Sequence, residues 1–251
     1  MFALVGALKE EVADLQRRMS LAQDFAWRRC RIYRGKYGKR DVLLLQTGTG
    51  KESAEIATRF ILEHYPVTTL ISLGFAGALT RELKVGDIII CSTLHCASGL
   101  TQPAPNSGET YSSDGSLVST LSQAIEGTRL RFSHGSSVTV IQPVSRLEAK
   151  RTLGESFGAD IVDMESYWVA RIAAERRVPF LAVRAISDIM QDSRLPFDQI
   201  LTLHGEWQWK MAVPYFTLHP QHLTKLFALY RDAREARKNL TTVVSRLVVN
   251  I

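Results

Sequence analysis

Residues 161–188 read IVDMESYWVARIAAERRVPFLAVRAISD. Two short apolar runs, Ile161–Met164 and Phe180–Ile186, flank a helical pattern over Ser166–Arg177. Strand, helix and strand in that order belong to a sheet with a helix packed on its face. Both runs are apolar at consecutive rather than alternate positions, which predicts strands buried on both faces. Acids stand where the runs end: Asp163 and Glu165 at the first, Asp188 at the second, with Arg184 leading into it. Strands exclude acids from their interiors, so acids at neighbouring strand ends point to a charged cleft. A structural salt-bridge network would leave the same trace.

The alternation continues outward. Phe2–Ala7, Val42–Gln46, Leu70–Leu73, Asp87–Cys91 and Val138–Ile141 read as strands, with Arg31–Gly35 paired to Val42–Gln46 across the turn at Tyr37–Arg40. Helices are expected over Lys51–Tyr65 and Arg146–Phe157. The predicted fold class is α/β, a single three-layer domain with a central mixed sheet between helices. Residues 97–115, with Ser98, Gly99, Pro103, Pro105 and Gly108, read as a long loop of the kind that is often functional. From about Trp207 the strand signals stop. His222–Asn239 is an amphipathic helix with Leu223, Leu226, Phe227, Tyr230 and Ala233 on one face and mainly basic residues on the other. The expected organisation is a catalytic domain over 1–205 and a helical extension over 206–251 packed on it.

Of the 251 residues, 45% are hydrophobic and 22% charged, which excludes a disordered or collagen-like chain. No apolar run reaches the roughly 18 residues of a membrane span, and the first residues lack the basic-then-apolar order of a signal peptide. A cytoplasmic protein is expected. Cys30, Cys91 and Cys96 are scattered, which suits a reducing compartment and gives no metal-ligand spacing. No metal or organic cofactor is expected. The net charge of +6 concentrates in Arg28–Arg40 and Arg231–Lys238. No nucleic-acid recognition motif accompanies it, so it reads as a solvated basic surface. Membrane contact by the last helix is disfavoured against packing on protein, because it lacks a broad apolar face.

In open α/β sheets ligands bind where strands end in loops. Three more segments qualify: Lys9-Glu10-Glu11, Thr47-Gly48-Thr49-Gly50-Lys51 and Gly74-Phe75-Ala76-Gly77. Each also has a plain structural explanation. Acids favour the first turn of a helix, and glycines make tight turns. The second segment has neither the Walker A nor the GxGxxG spacing.

Taken together these stretches resemble the purine nucleoside phosphorylase and uridine phosphorylase superfamily. The nearest branch is the methylthioadenosine/S-adenosylhomocysteine nucleosidases. The likeness rests on LVGALKEEV (4–12), LLQTGTGK (44–51), ISLGFAGAL (71–79), LKVGDIII (83–90), IVDMES (161–166) and VPFLAVRAISD (178–188), in the family's order. It implies a sheet partly curled into a barrel, a homo-oligomer such as a homodimer, a purine nucleoside substrate and cleavage of its N-glycosidic bond.

The resemblance also implies roles. Asp188 is the acid beside purine N7, held by Ser187. Glu165 and Met164 grip the ribose, and Glu11 activates water. Arg184 orders the carboxylates and the nucleophile. Thr47, Gly48 and Thr49, with Phe75, Ala76 and Gly77, complete the substrate site. Breaking the C1'–N9 bond leaves an oxocarbenium-like sugar and an electron-rich purine. An acid for the base and a negative group near the sugar are what that transition state needs. Such an acid requires a raised pKa at neutral pH.

Glu10 and Glu11 after the first strand would repel phosphate, which favours hydrolysis. Thr47, Thr49 and the backbone of 48–50 keep phosphate as the alternative nucleophile. Phe75, Thr49 and VIQPVSR at 140–146 depart from the nucleosidase pattern. LPFDQIL at 195–201 and the basic tail resemble hopanoid-associated phosphorylases, which act on an adenosyl-linked lipid. The 5'-substituent therefore stays open. A nucleotide-binding module without catalysis is the non-enzymatic alternative, and three acids in one cleft argue against it.

Overall fold

The computed structural model describes residues 1–102, 109–191, 215, 217–219 and 222–250. The chain opens with β1 (Phe2–Gly6), α1 (Lys9–Arg17), β2 (Ser20–Trp27), β3 (Cys30–Tyr37) and β4 (Arg40–Gln46). It continues through α2 (Lys51–His64), β5 (Thr69–Ala78), β6 (Ile88–Cys96), β7 (Tyr111–Ser112), α3 (Gly115–Ile125) and β8 (Phe132–Thr139). Then come α4 (Leu147–Phe157), β9 (Ile161–Asp163), α5 (Ser166–Glu175), β10 (Phe180–Asp188) and a long α6 (His222–Asn250).

All five residues of β1 are buried, because the strand is covered on both faces. Side chains alternate across it. Ala3 and Val5 join Leu43 and Leu45 of β4 in a core closed by Ala57 and Ile61 of α2 and Trp168 of α5. Phe2 and Leu4 join Leu44 in a second core closed by Leu15 of α1, Leu121 of α3 and Val244 of α6. This produces the expected three layers. Burying each of these large side chains contributes about 1.5–3 kcal/mol.

The strand order is β10-β6-β8-β9-β5-β1-β4-β3-β2, and β10 also pairs with β5. That extra pairing closes β5, β10, β6, β8 and β9 into a five-stranded barrel, as the family resemblance implied. β1 runs parallel to β4 and β5, and β5 parallel to β10, so these strands bring their C-terminal ends to one edge. Between Ile186 and Asp188 the β10–β5 register shifts, setting Asp188 opposite Gly77. Such a bulge re-aims a side chain at a barrel rim.

Several expectations need correction. β2 went unread. Its residues are mostly exposed and carry no apolar run. β8 ends at Thr139, so Val140 and Ile141 follow the strand instead of forming it, and its first half, Phe132–Ser137, is largely polar. Within 97–115, Tyr111–Ser112 forms a short strand, and the α3 helix begins at Gly115. The last helix runs 11 residues beyond Asn239. Tyr230, assigned to its apolar face, is 69% exposed, whereas Ala236, Leu240, Val243, Val244 and Leu247 are buried. The side chains of Leu223, Leu226 and Phe227, the boundary at 205/206 and the segment 195–201 lie outside the described residues.

Candidate active site

The α1 helix begins after Leu8, leaving backbone N–H groups that need acceptors. Glu11, three positions in, reaches back to take them. Its Oε2 accepts from Ala7 N at 2.7 Å and Leu8 N at 2.8 Å. Its Oε1 accepts from Phe75 N at 2.8 Å, on β5. Acidic residues in a first turn have a structural use, but here the carboxylate also ties two strand ends together. Burial pushes the Glu11 pKa up, against those N–H bonds and the nearby Arg184 charge.

Gly74, directly before Phe75, makes this approach possible. A Cβ there would lie 2.7 Å from Glu11 Oε1. Gly50 caps α2 with φ of 85°, a left-handed conformation that favours glycine. Its N–H donates to Glu165 Oε1 at 2.8 Å. Glu165 thus sits at the positive end of α2. Burial nevertheless dominates. Together with the charges of Glu11 and Asp163 it pushes the Glu165 pKa up to about 8, although Gly50 N–H and Arg184 act the other way.

Behind these two acids lies a buried ionic core. Arg184, 2% exposed, donates from Nε to Asp163 Oδ2 at 2.8 Å, from Nη2 to Ser72 Oγ at 2.9 Å and from Nη1 to the Val183 carbonyl at 3.0 Å. Asp163 also accepts from Thr139 Oγ1 at 2.5 Å and from the Ser166 hydroxyl.

A cavity of about 200 Å³ opens at the strand ends. Nine of the twelve sequence-predicted residues line it: Glu11, Thr49, Phe75, Ala76, Gly77, Met164, Glu165, Ser187 and Asp188. Three do not. Arg184 lies behind the wall, bonded as above. Thr47 is buried and donates to the Gly48 carbonyl at 2.8 Å, and Gly48, with φ of 81°, shapes the turn. Arg184 thus bonds to Asp163, which lines the cavity, without facing the cavity itself. Sequence reasoning missed the wall formed by Val140, Pro143, Val144 and Val162. It also missed Lys150, which donates to Asp188 Oδ2 at 2.6 Å. The sequence carries no signal for it: that Lys150 and Leu153 are the two buried residues of α4, three apart on its inner face, is visible only in the fold.

Chemically the cavity presents four carboxyl groups, of Glu11, Asp163, Glu165 and Asp188, with a rim of small residues and apolar walls. Among the described residues no lysine or arginine lines it. Nor is any group of three or more His, Cys, Asp or Glu placed to hold a metal ion.

Residues 1–205 match the model of the phosphorylase superfamily. A 5'-methylthioadenosine/S-adenosylhomocysteine nucleosidase of Bacillus subtilis (strain 168) is 30% identical over 211 residues, which are 79% of this chain and 90% of that protein. Among solved structures, the nucleosidase of that name from Neisseria meningitidis, in complex with methylthio-immucillin-A, superimposes with a TM-score of 0.78 at 20% identity, covering 100% of this chain and 99% of that one. Futalosine hydrolase of Helicobacter pylori strain 26695 gives a TM-score of 0.78 at 17% identity, covering 100% and 97%.

Proposed function

The chain belongs to the phosphorylase superfamily, and from that premise we propose that it hydrolyses the N-glycosidic bond of a 5'-substituted adenosine. The observation that carries this reading is one cavity holding Glu11, Glu165 and Asp188 with no lysine or arginine in its described lining. A phosphate dianion would find no lysine or arginine in that lining to pair with, which is costly, whereas its carboxyl groups suit water and a developing sugar cation.

Asp188 protonates the purine as the C1'–N9 electron pair moves onto the base. Glu165 accepts hydrogen bonds from the ribose hydroxyls, with Met164 packed on the sugar. Glu11, fixed by three backbone N–H groups, takes the proton of the attacking water. Ser187 lines the cavity beside Asp188 and supports it. The 5'-substituent is methylthio, homocysteinyl or a longer apolar group, which would place the enzyme in methionine salvage or in turnover of adenosyl conjugates. Residues 1–205 form the catalytic unit and 206–251 an extension packed on it. The free, buried cysteines fit a cytoplasmic protein, and the family resemblance supports a homo-oligomer.

The test is a product assay on methylthioadenosine, S-adenosylhomocysteine and a long-chain 5'-alkyl adenosine, with and without phosphate. Free adenine and a free sugar, at rates independent of phosphate, are expected. A phosphate requirement with a sugar 1-phosphate product would overturn hydrolysis. In the same assay Asp188→Asn should lose about 10²–10⁴ in kcat and still bind adenine.

A further inference from the structure

Lys150 is a buried titratable group that the chemistry above does not use. It lies on α4, 0% exposed, with Nζ 2.6 Å from Asp188 Oδ2 and 2.8 Å from the Ile189 carbonyl. One ammonium therefore grips both the acid's side chain and the backbone just past the β10 bulge. A buried ammonium is costly unless paired, and an apolar residue would fill this place on the inner face of α4 without that cost. The cation is set on the one carboxylate that faces the leaving group.

We infer that Lys150 is a positioning residue for leaving-group protonation, holding one oxygen of Asp188 and compensating the charge that Asp188 acquires when its proton moves to the purine. This rests on the proposed role of Asp188. The glycosidic electron pair goes to the purine, and the Asp188 proton goes to N7. The resulting carboxylate faces the Lys150 ammonium at contact distance. The water oxygen bonds to C1', and its proton goes to Glu11. Exchange with solvent restores both acids.

Among the described residues, other charged groups around the pair have contacts of their own. Glu11, Asp163 and Glu165 face the same cavity from α1, β9 and the start of α5. Arg184 on β10 is bound to Asp163. Asp160, between α4 and β9, accepts from Ser136 N. His95 of β6 sits beside Phe157 of α4. On α4 itself, Arg151 pairs with Glu155, and Glu148 and Arg146 occupy its first turn and cap.

The experiment compares two leaving groups on the full chain. One is adenine, which must be protonated. The other is 4-nitrophenolate on a riboside with the same 5'-group, which leaves without a proton. Lys150→Met should lose about 10-fold or more in kcat on the adenine nucleoside and far less on the nitrophenyl riboside. Equal losses on both substrates would overturn the inference. Lys150→Arg keeps the cation and should keep the wild-type ratio between the two substrates; if it behaves as Lys150→Met should, the inference is also lost, and this holds even where Lys150→Met does not fold. Asp188→Asn is the control for the underlying role. If it discriminates between the leaving groups and Lys150→Met does not, only the inference on Lys150 fails. If Asp188→Asn does not discriminate, the acid assignment itself fails.

Discussion

Glu165 shows how one residue carries both a structural and a chemical demand. It caps α5 and accepts from Gly50 N at the start of α2, yet burial first, then Glu11 and Asp163, lift its pKa from 4.5 to about 8. Below pH 4.5 the group is protonated whether the chain is folded or not, and the stability from its raised pKa is fully present. As pH rises through about 8 the folded protein must ionise it inside the site, and that stability is lost. The wild-type protein should therefore melt at a lower temperature at pH 8.5 than at pH 5, through a loss of about 1–3 kcal/mol once solvent contact and coupling to Glu11 are allowed for. Glu165→Gln should flatten this slope without abolishing it, since Glu11 is raised as well. Thermal melts of both proteins from pH 5 to 8.5 decide the matter, and parallel slopes would refute it. At this scale the gathering of the acids was legible because strands exclude carboxylates from their interiors, so acids collect where apolar strands end. Lys150 was not, because a lysine in a helical pattern reads as solvated until the strand beside it is known.

Among the elements, the junction of β5 with the β1–α1 turn matters most for the site. Gly74 has no side chain, and Glu11 occupies the space one would take. Gly74→Ala should displace the carboxylate from Phe75 N, lowering kcat by about 10-fold or more through loss of position, with a stability cost of about 1 kcal/mol. Gly115→Ala, where an added Cβ meets nothing within 4 Å, serves as the comparison. Equal kcat in the two variants would show that Glu11 needs no such placement. Legibility differed among elements for a physical reason. β1, β4 and β10 bury consecutive residues, so their composition announces them. β2 is an exposed edge strand held by its pairing with β3, and the first half of β8 is built largely from serine, glycine and histidine and held by its pairing with β6. Those strands owe their conformation to partners distant in sequence, which no local pattern records.

At the scale of the molecule, the family match ends at residue 205, but the core does not. Leu240, Val243, Val244 and Leu247 of α6 are fully buried in the same cluster as Leu4, Leu15, Leu44 and Val183. Polar contacts fix the register of the helix: Arg237 pairs with Asp14 at 3.1 Å, Asn239 Nδ2 donates to the Gly86 carbonyl at 2.9 Å, and Arg246 Nη1 donates to the Ala124 carbonyl at 3.1 Å. Its apolar face from Ala236 onward is thus spent on the protein's own sheet, and among the described residues no helix is long and apolar enough to cross a membrane. A chain ending at residue 221 would expose one face of β10 and β5 and the flanks of α1 and α3. At about 25 cal/mol for each Å² of apolar surface, losing a whole helix face exceeds the 5–15 kcal/mol by which domains are stable. Such a chain should lack a cooperative thermal transition. Leu240→Ala, a single cavity in the same layer, should cost about 2–5 kcal/mol and leave turnover at low temperature intact, because the helix packs on the layer opposite α2 and α5 and supplies no residue of the described cavity lining. Circular dichroism melts of both proteins, with adenine release measured at 10 and 37 °C, separate the two effects. A truncated chain that melts cooperatively and turns over normally would mean that residues 1–205 fold without α6, and that the buried leucines and valines of this helix cover a face the sheet can leave in water.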